Sequence, residues 1–96
     1  MDIKHIEGKK KGQVMLYALS TCVWCKRTKR LLNELGIDYH FVDADLANSE
    51  DKEEIRRTVL KWNPNGSYPT IVIDDKHSII GYDPDRIKEV FGDGEK

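Results

Sequence analysis

The stretch QVMLYALSTCVWC, running from Gln13 to Cys25, joins a short apolar run to two cysteines separated by two residues. Gln13 to Leu19 is nearly continuous in apolar side chains and includes the β-favouring Val14 and Tyr17. That pattern predicts a central strand buried on both faces. Ser20 and Thr21 supply turn and cap chemistry. Beyond them Thr28, Leu31, Leu32 and Leu35 recur at three- and four-residue spacing among Lys26, Arg27, Lys29, Arg30, Asn33 and Glu34, which predicts an amphipathic helix. Gly36 can take the left-handed conformation that ends it, and Ile37 can fold back to complete an apolar C-terminal cap. The cysteine pair is therefore expected where the first main strand hands over to the first helix.

Working outward, Asp38 to Asp43 reads as a second strand, and Asn48 and Ser49 offer N-caps for a second helix. Ile55, Val59 and Trp62 share one face of that helix, with acidic residues early and basic residues late, as its dipole favours. Asn63-Pro64-Asn65-Gly66-Ser67 breaks it. Thr70–Ile73 and Ser78–Ile80 predict a hairpin around a polar turn at Asp74, Asp75 and Lys76. Asp83 followed by Pro84 is a helix start, and Ile87, Val90 and Phe91 form the stripe of a closing helix. The order β-α-β-α-β-β-α predicts one α/β domain over residues 13–92, a mixed four-stranded sheet flanked by helices. Residues 1–12 fit either a polar arm or an edge strand, and residues 93–96 a tail.

Composition bounds the function. Lys plus Arg number 16 against 17 for Asp plus Glu, a formal charge of −1, so the field expected of a nucleic-acid binder is missing. No apolar run approaches the roughly 20 residues of a membrane span. The polar N-terminus lacks a secretory signal's apolar core, so a cytoplasmic location is expected. Two cysteines this close would close too small a loop to restrict the unfolded chain much, which disfavours a purely structural disulfide.

A C-x-x-C pair alone also fits half of a zinc site, but the remaining ligands would have to come from His5, His40, His77 and carboxylates with no helpful spacing. His40 reads as a structural residue in a strand, His77 as a turn residue, and His5 as part of the polar lead. At a strand-to-helix junction the pair instead reads as redox-active. Unpaired helix N–H groups and the positive helix end favour a thiolate on Cys22, the form that attacks a disulfide. Cys25, one turn inward on the same face, is placed to resolve a mixed disulfide. Trp24 reads equally as a substrate-stacking ring or as a side chain packed beside the strand. Lys26 and Arg27 read as a solvated face and are left out of the catalytic set.

With TCVWC between strand and helix, and SYPTIVI and GYDPDRI later, the chain resembles the glutaredoxin family of the thioredoxin-like fold from about Gln13 to Phe91. The resemblance implies a dithiol–disulfide oxidoreductase that carries electrons without a bound cofactor, acts as a monomer, and reduces protein or small-molecule disulfides. It also implies a cis bond before Pro69 facing the cysteines, with Tyr68 and Thr70 flanking a peptide-docking edge and Gly81, Tyr82 and Asp83 bordering it. Leu19 stands where glutathione-using members carry a lysine, and the glycine pair common near the last helix is Ile80-Gly81. Losing that cation weakens the case for glutathione. GYDPD is similar to the G-F-R-P-D segment of redoxins that serve ribonucleotide reductase and are recharged by a thioredoxin-type flavoprotein reductase, with Asp83 in place of the arginine. The rival that the family allows is an iron–sulfur or metal carrier ligated through Cys22.

Overall fold

A computed structural model of the chain describes residues 1–92. The tail expected at residues 93–96 lies outside the described residues. The elements are β1 (Lys4–Ile6), β2 (Val14–Ala18), α1 (Val23–Glu34), β3 (Tyr39–Asp43), a 3-10 turn (Ala44–Leu46), α2 (Ser49–Trp62), β4 (Thr70–Ile73), β5 (His77–Ile80) and α3 (Pro84–Phe91). From β2 onward this is the expected β-α-β-α-β-β-α order of the thioredoxin-like fold. The sheet has five strands rather than four, in the order β1-β3-β2-β4-β5. The lead supplies the fifth: β1 pairs antiparallel with β3, and a parallel bridge joins Lys9 to Ile37.

β2 is central, parallel to β3 and antiparallel to β4. Its two faces differ, which corrects the expectation of burial on both sides. Val14, Leu16 and Ala18 are buried against Leu31 and Leu32 of α1 and Ile87 and Phe91 of α3. Met15 and Tyr17 face Ile55 and Val59 of α2 and remain half-buried, because a single helix covers that side. Val90 is likewise exposed, leaving Ile87 and Phe91 as the buried stripe of α3.

The ends of the elements follow local chemistry. Leu35 caps α1, Gly36 has φ of 70°, and the amides of Gly36 and Ile37 donate to the carbonyls of Asn33 and Leu32. This is the double hydrogen bond of a Schellman cap, with Ile37 buried beside Leu32 as its apolar contact. Asn48 Oδ1 accepts from the Asp51 amide at the start of α2, and Asp83 Oδ1 from the Arg86 amide at the start of α3. Asp74 and Asp75 both have positive φ, 56° and 53°, and the Lys76 amide donates to the Ile73 carbonyl. That mirror-image turn has the twist a hairpin needs.

Candidate active site

β2 ends at Ala18, and the chain turns so that the Cys22 amide donates to the Leu19 carbonyl at 3.2 Å. Cys22 then has extended backbone angles (φ −88°, ψ 121°) and is itself the N-cap of α1, the position for which Ser20 and Thr21 were the expected candidates. Its Sγ accepts from the Cys25 amide at 3.1 Å. An N-cap side chain normally offers oxygen to such an amide. Here sulfur takes that place, and a thiolate gains most from the interaction because the unpaired N–H groups of the first turn carry positive partial charge.

The two sulfurs occupy different surroundings. Cys22 is half-buried, whereas Cys25 is fully buried in the core between sheet and helices. Burial pushes the Cys25 thiol up to about 12, and the hydrogen bond with Cys22 pushes in the same direction. The Leu19 amide, donating to Cys25 Sγ at 3.4 Å, and the more distant Lys29 ammonium act in the opposite sense but do not prevail. Cys25 thus holds its proton more tightly than an ordinary thiol.

Trp24 is 52% exposed, so it does not pack into the core. Its ring stacks on Tyr82 with centroids 5.8 Å apart, and the Arg27 guanidinium lies 4.9 Å from its centroid. Arg27 therefore lies over the Trp24 ring. Lys26 is exposed.

The Tyr68-Pro69 peptide bond is cis, as the resemblance implied. Pro69 is fully buried, and its carbonyl accepts from the Gly81 amide at 2.8 Å, which ties the SYPT and GYDPD segments together. Tyr68 is half-buried and packs against both cores; burial and then the nearby Cys25 raise its phenol pKa. Thr70 is fully buried, and its hydroxyl donates to the Ser67 carbonyl and accepts from Asn63 Nδ2. Its side chain supports the loop from within. Asp83 is occupied as the α3 cap.

Two positioning residues were not singled out from the sequence. Asn63, read there only as part of a helix-breaking run, is fully buried; its Nδ2 donates to Ser67 O, Ser67 Oγ and Thr70 Oγ1, and its Oδ1 accepts from the Asn65 amide. One side chain thus organises the loop leading to Pro69. Asp45, in the 3-10 turn, accepts from the Ser20 amide at 2.8 Å and the Ser20 hydroxyl at 2.5 Å, anchoring the turn that precedes Cys22. Those two bonds hold its carboxyl below the usual range, the hydroxyl's contribution being the larger.

The family model described as Glutaredoxin matches residues 14–78. The Gene 56 protein of Mycobacterium phage D29 is 35% identical over 78 residues, 81% of each chain. Among solved structures, a glutaredoxin from Methanosarcina mazei superposes with a TM-score of 0.89 at 41% identity, covering 94% of this chain and 87% of that one. Methanosarcina acetivorans methanoredoxin gives 0.87 at 41% identity, over 88% of this chain and 90% of that one. The matched region contains the cysteine pair and the cis-proline loop, and with that fold and those relatives the chain belongs to the glutaredoxin family.

Proposed function

We propose that the protein is a dithiol–disulfide oxidoreductase of the cytoplasm, an electron carrier that reduces disulfides with Cys22 as nucleophile and Cys25 as resolver. The observation that carries this reading is the Cys22 sulfur capping α1 directly outside a buried Cys25 thiol. Cys22 thiolate attacks one sulfur of a substrate disulfide and expels the other as a thiolate, which takes up a proton. The new mixed disulfide leaves Cys22 without negative charge, so the hydrogen bond and charge that raised the Cys25 value are lost and Cys25 becomes more acidic. Cys25 then gives up its proton, attacks Cys22 Sγ and releases the second substrate thiol. Substrate has gained two electrons and the protein holds a Cys22–Cys25 disulfide, which an external donor must reduce.

In this reading Trp24, Tyr82 and the Tyr68 loop border the outer sulfur, and a substrate segment docks along Tyr68 with Pro69, Thr70 and Gly81 behind it. The reading assigns recharging to a thioredoxin-type flavoprotein reductase with NADPH. A buckwheat glutaredoxin, 25% identical with a TM-score of 0.64, was solved as a complex with glutathione. Here Leu19, at the position of the family's lysine, packs with the α2-side core. Supplying the oxidised protein with reductase and NADPH, or with glutathione and its reductase, tests this: faster insulin-disulfide reduction with the first supports it, and recharging by glutathione alone rejects the assignment of donor. Cys25→Ser should accumulate a mixed disulfide under oxidising conditions, and absence of that adduct counts against the roles given to the two cysteines.

A further inference from the structure

His5 and His40 are direct cross-strand partners in the β1–β3 ladder, and their rings stack with centroids 4.3 Å apart and planes 9° from parallel. Asp38 lies two residues before His40, on the same face of that chain segment. Its carboxylate accepts from His5 Nε2 at 2.9 Å and from the Gly8 amide at 3.2 Å. One ligand atom from each of His5, Asp38 and His40 lies within 4.8 Å of the other two. We propose that these three side chains form a binding site for a divalent transition metal of the zinc type, separate from the redox cysteines.

The donor set suits such an ion: two imidazoles and one carboxylate are the borderline ligands zinc takes, and three protein ligands leave a position for water. Tetrahedral bonds of about 2.0–2.1 Å set ligand atoms about 3.3 Å apart, so the present spread needs a contraction of at most about 1.5 Å. Exposed His5, on a three-residue edge strand, can supply it by turning its ring out of the stack. The metal takes the place of the proton now shared by His5 Nε2 and Asp38. The Gly8 amide keeps the carboxylate oriented, as an outer hydrogen bond does in established metal sites. Ladder pairing fixes the register of both histidines, so the site forms only when the lead is seated as β1.

His40 is level with Met15 at the start of β2, whereas Cys22 follows the other end of that strand. The three residue steps from Met15 to Ala18 already span about 10 Å. The metal therefore has no contact with the sulfurs, and its effect is to clip the N-terminal strand to the sheet.

Isothermal titration of the untagged, fully oxidised protein with Zn²⁺ tests this, because the disulfide removes both sulfurs as competing ligands. One equivalent is expected, with binding weakened roughly tenfold or more in each of His5→Gln and His40→Gln. Imidazole ¹⁵N shifts of the wild-type protein give a second readout that needs no variant: His5 and His40 should respond and His77 should not. Lack of binding, wild-type affinity in either variant, or a response centred on His77 overturns the proposal.

Discussion

Cys22 Sγ and the backbone amide of Cys25 are 3.1 Å apart, so the half-buried outer cysteine is itself the cap of α1. The amide it engages belongs to the buried cysteine of the same pair. Chemistry at Cys22 therefore changes both the end of the helix and the surroundings of the buried thiol.

Cys25, held up to about 12 chiefly by burial, makes the stability of the reduced protein fall in alkali. The unfolded chain ionises this thiol from about pH 9, whereas the folded chain keeps the proton until about 12. The contribution is intact below pH 9 and is lost as pH rises through that window, by at most about 1.4 kcal/mol per pH unit. The oxidised protein has no proton there to lose. Urea unfolding from pH 8 to 11 should show reduced protein losing stability relative to oxidised; parallel curves would refute the shift.

Asn63 is a second test of the site's scaffold. Asn63→Ala leaves the buried Thr70 hydroxyl without its donor and the part-buried Ser67 carbonyl with one partner fewer, at a loss of about 2–3 kcal/mol. Asn63→Asp should not restore stability, since a carboxylate cannot donate the Nδ2 bonds. Denaturant midpoints at constant m-value measure both, and a loss below about 0.5 kcal/mol would mean the loop is held by other contacts.

What the sequence disclosed depends on range. The β2 strand, the Gly36 cap, the Asp83-Pro84 helix start and the cysteine junction are written in neighbouring residues, and each is found where the pattern put it. Cys22 replaced Ser20 and Thr21 as the cap because a sulfur is not among the usual capping groups, so the pattern favoured the hydroxyls. The remaining differences come from partners far apart in the chain. β1 is recognisable only once Asp38 receives His5 from 33 residues away, and Asp45 acquires its role from Ser20, 25 residues earlier. Met15 and Tyr17 looked doubly buried because an apolar run does not reveal how many helices cover each side of a sheet.

Asp45 should make the turn before Cys22 acid-sensitive. Its folded carboxyl lies below the ordinary value, so the stabilisation from Ser20 is fully present above about pH 4 and fades as pH falls through the lowered value. Asp45→Asn weakens the link at every pH. The stability difference between wild type and Asp45→Asn should thus be constant near neutrality and shrink in acid, and a difference that grows in acid would contradict the assignment.

Trp24 separates recognition from folding. It is half exposed, its neighbours Tyr82 and Arg27 are themselves at the surface or half-buried, and the buried Thr28 of α1 bonds its backbone carbonyl rather than its ring. Trp24→Ala should change stability by less than about 1 kcal/mol, the range of surface substitutions with limited packing. If the ring with Tyr82 forms a wall against which a substrate segment lies, KM for a peptide disulfide rises several-fold while turnover of a minimal disulfide is kept, and Trp24→Phe recovers much of the lost affinity because it restores an aromatic face. The two substrates read the same cysteine chemistry, so only a loss in docking divides them. An equal fall in rate for both, or a large fall in stability with KM unchanged, would instead assign Trp24 to support of the α1 N-terminus.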